Sequence, residues 1–244
     1  MATSMVAAHT PILMSPVCLS VLTDPGPVHR RYGDVMGSGE LMVIFGPPAV
    51  GKMTVGRAVC ERSDFRLFLN HHTVEPLADV FGMGAPAFRT LTSEFRRRVI
   101  EEAAAAEVPL ILTLVWNLGG VEDAQWVASL VAPYESAGFP ISFVELSADL
   151  DTRLGRNRGE DRLLAKPSKR DLAWSDAHLR EREGWMMNTD AQVSLPSDAV
   201  LASHSHLRID THHLTPGATA DQILQWRSAL TTSPASSSTG AAAR

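Results

Sequence analysis

The chain has 244 residues, of which 45% are hydrophobic and 20% charged, and its formal net charge at pH 7 is -5. This composition is typical of a soluble globular domain with tails, and its acidic balance gives no general reason to expect a nucleic-acid or membrane partner. No stretch of about 18 consecutive apolar residues exists, so we expect no membrane span. The two cysteines, Cys18 and Cys60, form neither a disulfide framework nor a metal-binding spacing, which favours a cytoplasmic protein.

The two ends of the chain are predicted to lie outside the folded domain. Residues 1–38 begin without Lys or Arg and are interrupted by Pro11 and Pro16, so they make a poor signal peptide. We predict that they are a disordered leader or an overlong start. Residues 231–244 are small and polar and are predicted to be a disordered tail. The folded domain is therefore expected over residues 39–230.

Short apolar runs alternate with amphipathic segments along this domain. Five of the runs predict β-strands over 41–45, 66–70, 108–116, 141–147 and 207–210. The segments that follow these runs predict helices over 52–63, 88–107, 121–138, 149–158 and 218–230. In the clearest helix we expect one apolar face, formed by Phe88, Leu91, Phe95, Val99 and Ala103. The alternation predicts an α/β fold of three layers, with about five parallel strands covered by helices on both faces.

The segment after the first predicted strand, G-P-P-A-V-G-K, has the spacing of a phosphate-binding P-loop. Its glycines let the backbone curl so that successive N–H groups point at an anion, and the next helix directs its positive end to the same place. Lys52 is predicted to reach the outer phosphates of ATP and to act in catalysis. The residues expected to bind the nucleotide are Gly46, Pro47, Pro48, Ala49, Val50, Gly51, Lys52, Met53 and Thr54.

Met53 stands where a P-loop usually has the Ser or Thr that holds magnesium. A thioether is a poor ligand for this hard cation, so we expect the Mg2+ shell to be completed elsewhere. Thr54 and Glu75 are the candidate metal ligands, and Asn70 and Asn117 are further places to look. The alternative is that Met53 disables catalysis and leaves a nucleotide-binding module.

The third predicted strand ends in Trp116 and Asn117 rather than in an acidic residue. Many P-loop NTPases place a metal-orienting Asp at this point. The different ending argues against a motor-type or switch-type ATPase and favours a small phosphotransferase.

The order of motifs over about residues 40–230 resembles that of the small P-loop kinases. The cradle comes first, a polar motif follows the second strand, a basic segment follows the fourth, and L-R-I-D-T-H-H-L-T-P precedes the last helix. Shikimate and gluconate kinases, nucleoside monophosphate kinases and chloramphenicol-type phosphotransferases share this order. The resemblance implies a P-loop NTPase fold, ATP and Mg2+ as cofactors, and phosphate transfer to a hydroxyl of a small molecule.

The basic segment resembles the lid of shikimate kinases, in which an arginine precedes a short apolar pair, as in D-R-L-L at 161–164. We predict an arginine-rich lid over about 155–172 that closes over the phosphates. Arg158 and Arg162 are the predicted catalytic arginines, because guanidinium groups clamp a phosphoryl group as it moves. Arg153 is expected to support the fold or the base-side wall of the nucleotide site. The alternative is an ordinary solvated helix with many charges.

Polar residues follow the second predicted strand, at the sheet edge where open α/β folds bind ligands. Shikimate-type kinases have acidic residues in this region, whereas this chain has Asn70, His71 and His72, and a histidine there could accept a proton from the acceptor hydroxyl. The alternative is that these residues cap or pack a helix. Arg96 resembles the substrate-facing arginine of the F-R motif in that family. Three residues match the place of its Gly-rich substrate loop: Asn117, Gly119 and Gly120.

The sequence leaves the acceptor and the oligomeric state open. Sugars, acids, antibiotics and nucleosides all remain candidate acceptors. Two other functions also stay open: an ATPase-like or nucleotide-binding module with little kinase activity, and a kinase of nucleotides or nucleic-acid ends. The acidic charge and the aromatic content of 6% speak against a nucleic-acid partner, because they offer no obvious stacking platform.

Overall fold

The computed structural model describes residues 39–165 and 170–232, apart from four side chains at positions 161, 162, 165 and 232. The predicted leader over 1–38 and most of the predicted tail lie outside the described residues. The strands are β1 (Leu41–Phe45), β2 (Arg66–Phe68), β3 (Leu110–Leu114), β4 (Ile141–Ser147) and β5 (Ser205–Asp210).

The helices of the described residues cover the connections between these strands. They are α1 (Lys52–Cys60), α2 (His71–Phe81), α3 (Pro86–Ala105), α4 (Val121–Ser136), α5 (Leu150–Asn157), α6 (Glu160–Ala165), α7 (Leu172–Glu181), α8 (Asp198–Ala202) and α9 (Pro216–Thr232). Within the same residues, no helix combines the length and the apolar content needed to cross a membrane.

The five strands form one parallel sheet in the order β2-β3-β1-β4-β5. The prediction of about five parallel strands is therefore confirmed. Strand β1 lies in the centre, between β3 and β4, so the loop that follows it opens at the carboxyl edge of the sheet. In open α/β sheets this edge is where ligands bind.

The sheet is covered on both faces, as the continuous apolar strands predict. Leu41, Val43 and Phe45 of β1 face a core shared with α3, α4 and α8. Met42 and Ile44, the alternate residues, face a second core shared with α1 and α9. Because neighbouring strand residues point to opposite faces, one strand contributes to both cores, and the three-layer prediction is confirmed.

Helix α3 buries a different face from the predicted one. Its buried residues are Thr92, Arg96, Ile100 and Ala104. Val99 and Ala103 pack against the core as expected, but Leu91 and Phe95 are 37% and 47% exposed, so the predicted face is wrong in the first half of the helix. The reason is that this half lies beside a polar cavity, where Arg96 binds side chains of α2, instead of against the sheet.

Helix α2 was not predicted, and β2 ends two residues earlier than expected. The chain turns into the helix at Leu69 and Asn70, so the polar motif after β2 forms the first turn of α2 and not a loop. Asn70 is the N-cap residue, but its side chain makes no capping hydrogen bond. Pro76 lies inside α2. Because proline usually ends or kinks a helix, the sequence of this segment does not indicate a helix.

Candidate active site

The loop between β1 and α1 has the backbone of an anion cradle. Gly46 and Gly51 have φ angles of 136° and 111°, and Ala49 has a φ of 64°, in the left-handed region. A Cβ atom on Gly46 would lie 2.2 Å from the backbone oxygen of Leu146, so only glycine fits there. Gly51 is the N-cap of α1, which directs the positive end of that helix at the loop.

Lys52 lies over this loop. Its Nζ donates to the backbone oxygens of Gly46 at 2.6 Å and Pro47 at 2.7 Å. The same side chain lines two cavities, one on each side of the loop. Met53 lines both as well. These two side chains therefore mark the boundary between a nucleotide cavity and an acceptor cavity, the names used from here on.

The nucleotide cavity has a volume of about 570 Å³. Residues 49–55 of the loop and α1 line one side, which includes six of the predicted nucleotide-binding residues. Three further lining residues come from α5, from the turn after it and from the segment after β5: Arg156, Gly159 and Thr211. Of the remaining predicted residues, Pro48 lines the acceptor cavity.

Arg156 joins the cradle to the last strand. Its Nη1 donates to the backbone oxygen of Val50 at 3.1 Å and to the hydroxyl of Thr211 at 3.0 Å, and its Nη2 donates to the backbone oxygen of Thr211 at 2.6 Å. Within the described part of the predicted lid, Arg156 is therefore an arginine that lines the nucleotide cavity, and sequence analysis did not single it out.

The two arginines that were singled out lie elsewhere or outside the description. Arg158 is exposed and donates to Asp176 at 2.8 Å. That bond, with one from Asn157, holds the pKa of the Asp176 carboxyl below its usual range. The side chain of Arg162, in α6, is outside the described residues, as are residues 166–169 of the predicted lid. Arg153 is buried and binds Ala148 and Glu183, which agrees with its expected role in the fold.

The acceptor cavity has a volume of about 440 Å³ and lies at the carboxyl ends of β2 and β3. Three predicted substrate residues line it: Asn70, His71 and Arg96. Further lining residues come from α2, α4 and α7 and the segment that follows α7: Val74, Asp123, Trp126, His178, Arg182 and Trp185. The cavity thus combines polar groups at the sheet edge with an apolar wall that contains two tryptophans.

Arg96 is the most buried charged group of this cavity, with 6% of its surface exposed. Its Nη2 donates to the Asn70 amide oxygen at 2.6 Å and to the Thr73 hydroxyl at 2.9 Å, and the guanidinium lies 5.3 Å from the centre of the Trp126 ring. Burial lowers the pKa of Arg96 to about 10. Its Nε is buried without a hydrogen-bond partner in the described part of the chain.

Arg182 brings a second guanidinium to the same cavity. It lies 3.5 Å from the centre of the Trp185 ring, and its Nη1 is buried without a hydrogen-bond partner among the described residues. Burial lowers the pKa of Arg182. Asp123, which also lines the cavity, has its pKa raised by burial and by Glu122. Sequence analysis missed Arg182 and Asp123, because neither belongs to a motif.

The two neighbouring histidines have separate environments. His71 lines the acceptor cavity, and its Nδ1 lies 2.8 Å from Oε1 of Glu75, one helical turn away. His72 points elsewhere, and its Nδ1 accepts the Leu69 backbone N–H at 3.3 Å. Burial and the charge of Arg57 lower the pKa of His72. Of these two neighbours, His71 is therefore the one that lines the cavity.

The segment with Asn117, Gly119 and Gly120 forms the turn that leads into α4. The Gly120 N–H donates to the Asn117 backbone oxygen at 3.1 Å, and Gly120 is the N-cap of α4. These three residues are not among those that line the acceptor cavity. The backbone N–H of Leu118 donates to Met186 at 2.7 Å, so the turn supports the segment that carries Trp185.

The predicted metal ligands and Asn70 have protein partners for their side-chain oxygens. Thr54 uses its hydroxyl to donate to the Gly51 backbone oxygen at 2.9 Å, Glu75 pairs with His71, and Asn70 accepts from Arg96. Among the residues that the structure describes, no group of three or more His, Cys, Asp or Glu side chains could hold a metal ion. The side chains that the structure describes therefore do not fit a protein-ligated cation.

Comparison with known proteins places the chain in a family. It is 33% identical over 154 residues to the shikimate kinase of Thermobifida fusca (strain YX), an overlap of 60% of this chain and 80% of that protein. It is 40% identical over 65 residues to the shikimate kinase of Rhodococcus jostii (strain RHA1), an overlap of 24% and 39%. No family model matches the chain.

The fold has solved counterparts. A sugar kinase from Janibacter sp. HTCC2649 superposes with a TM-score of 0.51 at 16% identity, over 78% of this chain and 95% of that one. The fold and the site thus define a small P-loop kinase. The chain belongs to the shikimate kinase family, and it is an ATP-dependent kinase that phosphorylates a hydroxyl of a small molecule.

Proposed function

We propose that the acceptor hydroxyl belongs to a small carboxylic acid, and that shikimate is the first acid to test. The observation that carries this proposal is the presence of two guanidinium groups, Arg96 and Arg182, in one cavity that shares Lys52 and Met53 with the nucleotide cavity. The name of the relatives from Thermobifida and Rhodococcus supports the same class of acceptor.

A carboxylate is the group that these two arginines lack. Each has a buried N–H group without a partner in the described residues, and a buried donor left unsatisfied costs about 1–3 kcal/mol. A carboxylate accepts two parallel N–H bonds from a guanidinium, which a neutral hydroxyl cannot do. Binding of an acid would therefore offer acceptor oxygens to these guanidinium groups and neutralise charge in a half-buried site.

The remaining walls suit the carbon frame of such an acid. Trp126 and Trp185 each lie against one of the arginines, at 5.3 Å and 3.5 Å from ring centre to guanidinium. With Val74 they present apolar surface to the cavity. The arginines would then fix the acid group, and the tryptophans would contact the ring or chain that carries the hydroxyl.

The proposed reaction is phosphate transfer between the nucleotide cavity and the acceptor cavity, which Lys52 lines on both sides. The acceptor oxygen attacks the γ-phosphorus of ATP, the bond from that phosphorus to the β,γ-bridging oxygen breaks, and ADP leaves with the electron pair. The hydroxyl proton passes to the imidazole of His71. Glu75, at 2.8 Å from Nδ1, holds the ring in one orientation and stabilises the imidazolium that forms. Lys52 and the N-terminus of α1 neutralise the phosphates.

Magnesium is the ion that such kinases typically use. Because the described side chains do not form a set of ligands for it, we expect it to be held by the nucleotide phosphates and water. The roles of Lys52, His71 and the two arginines do not depend on where the ion is bound.

A matched panel of acceptors tests the proposal. ADP release would be measured with ATP and magnesium in the presence of shikimate, gluconate and other small hydroxy acids, each beside its methyl ester or amide. We expect release above the no-acceptor background with at least one acid, and a loss of about 100-fold or more in kcat/KM for its neutral derivative. Equal rates for an acid and its ester, or release only with neutral sugars, would contradict an acidic acceptor.

A further inference from the structure

The residue after the P-loop lysine is the one whose side chain usually coordinates magnesium, and in this chain it is Met53. Met53 lies in the first turn of α1, is 8% exposed, and lines both the nucleotide and the acceptor cavity. Its thioether therefore occupies the boundary at which a P-loop hydroxyl would coordinate magnesium. Sulfur is a soft ligand and magnesium a hard ion, so Met53 contributes no bond to the cation.

Asn70, the second candidate ligand for a cation, already has a partner for its amide oxygen. Asn70, at the end of β2, faces the acceptor cavity, but its amide oxygen accepts the Arg96 guanidinium at 2.6 Å. A positive charge bound to that oxygen repels a divalent cation at the same atom. The backbone N–H of Asn70 donates to the Thr113 hydroxyl at 3.1 Å, so the residue is held from both ends. Asn70 thus serves the arginine and not a metal.

From these two positions we propose that nucleotide binding by this chain does not depend on magnesium. In a P-loop with a coordinating hydroxyl, the cation bridges protein and phosphates and adds to affinity. Here it gains no bond to Met53 or Asn70, yet it still neutralises phosphate charge that Lys52 and the N-terminus of α1 attract. Magnesium therefore leaves the affinity for ADP and ATP unchanged or weakens it. This inference rests on ATP use by the kinase.

The test compares nucleotide dissociation constants with magnesium and with EDTA, by titration calorimetry on the full chain without an acceptor. ADP and a non-hydrolysable ATP analogue are the probes. We expect the wild-type Kd to change less than about threefold, or to be weaker with magnesium. Met53→Ser restores the hydroxyl and is expected to make magnesium tighten binding by about tenfold or more. Met53→Leu also lacks a hydroxyl, so its Kd is likewise expected to change less than about threefold between magnesium and EDTA, whatever its absolute affinity.

Each outcome has a distinct meaning. Wild-type binding that tightens by more than about threefold with magnesium would overturn the proposal while leaving ATP use intact. A folded Met53→Ser variant without magnesium dependence would overturn the role given to Met53. If that variant does not fold, the wild-type Kd values with magnesium and with EDTA still decide whether nucleotide binding depends on the cation. No nucleotide binding under either condition would contradict ATP use itself, and the inference with it.

Discussion

The Arg96 guanidinium donates to the amide oxygen of Asn70 at 2.6 Å and thereby joins the middle of α3 to the start of α2. This one contact determines two properties of the site. It holds the positively charged guanidinium of Arg96 in the wall of the acceptor cavity. It also occupies the Asn70 oxygen, which is then not available as a metal ligand. A residue that looks like a helix cap or a cation ligand in the sequence instead positions an arginine.

Replacement of Arg96 is expected to weaken acceptor binding selectively. Arg96→Lys keeps a positive charge but loses the planar pair of donors, so we expect the KM for an acidic acceptor to rise about tenfold or more and the KM for ATP to change little. Steady-state kinetics measures both constants, and thermal unfolding of the same samples checks the fold. Arg97→Lys, next to it on the exposed side of α3, is the matched control. Equal acceptor KM values for the two variants would contradict the anion site.

His71 and His72 offer a second matched pair. His71→Gln removes the proposed base and is expected to lower kcat by about 100-fold or more, since general bases typically contribute 10²–10⁴-fold. His72→Gln should keep kcat within about threefold, because His72 lies outside the cavity. The wild-type kcat should fall as pH decreases, when the base becomes protonated, and His71→Gln should lack this fall. An unchanged pH profile in His71→Gln would assign the proton transfer to another group.

Substitution of Gly46 tests whether ADP binding depends on the backbone conformation of the P-loop. A Cβ atom at this position would meet the Leu146 backbone oxygen at 2.2 Å, and φ is 136°. We therefore expect Gly46→Ala to weaken ADP binding by about tenfold or more. In Gly155→Ala the new Cβ meets nothing within 4 Å, and alanine favours the helix. That control should bind ADP like the wild type, and similar losses in both variants would contradict the geometry.

Glu145 makes stability depend on pH. Burial alone would raise the pKa of this carboxyl. The close contact with His206, at 3.0 Å, and hydrogen bonds from Thr189 and Asn188 outweigh burial and hold the pKa below its usual range. Because the folded pKa lies below the unfolded value of about 4.3, the ionised carboxylate stabilises the fold above that pH. The stabilisation is lost as pH falls through the lower folded pKa.

Glu145→Gln should therefore be destabilised most near neutral pH. We expect a loss of about 2–4 kcal/mol in the free energy of unfolding at pH 7, since the variant breaks a buried charged network. Denaturant unfolding of both proteins would show the difference shrink as pH decreases below about 4. A difference that stays constant or grows on acidification would contradict a depressed pKa.

The parts of the site that follow a chain-local pattern could be predicted from the sequence. The P-loop spacing places Gly46, Gly51 and Lys52, because a strand, a tight loop and a helix leave little freedom there. Arg182 and Asp123 could not be found in this way, since they reach the acceptor cavity from separate, distant segments without a motif. Their contribution depends on how α4 and the turn after α7 pack around the sheet edge.

The errors inside helices have one common cause. Arg156 and Arg158 differ by two residues, about 200° around a helix axis, so one contacts the P-loop and the other pairs with Asp176 on the outside. Composition identifies a basic segment, but it does not say which of its arginines face the P-loop and which face outward. The buried face of α3 was misjudged for the same reason, because Arg96 outweighs the apolar pattern that includes Phe95.

Phosphate transfer from ATP to the hydroxyl of a small acid, with Lys52 between the two cavities, can be measured directly. The most direct measurement incubates the full chain with ATP, magnesium and shikimate, and then with the rest of the acid panel, and detects the phosphorylated acid by mass spectrometry or phosphorus NMR. The account predicts a phosphorylated acid with the wild type and none with Lys52→Ala. Full product formation by Lys52→Ala, or no phosphorylated acid with any member of the panel, would contradict it.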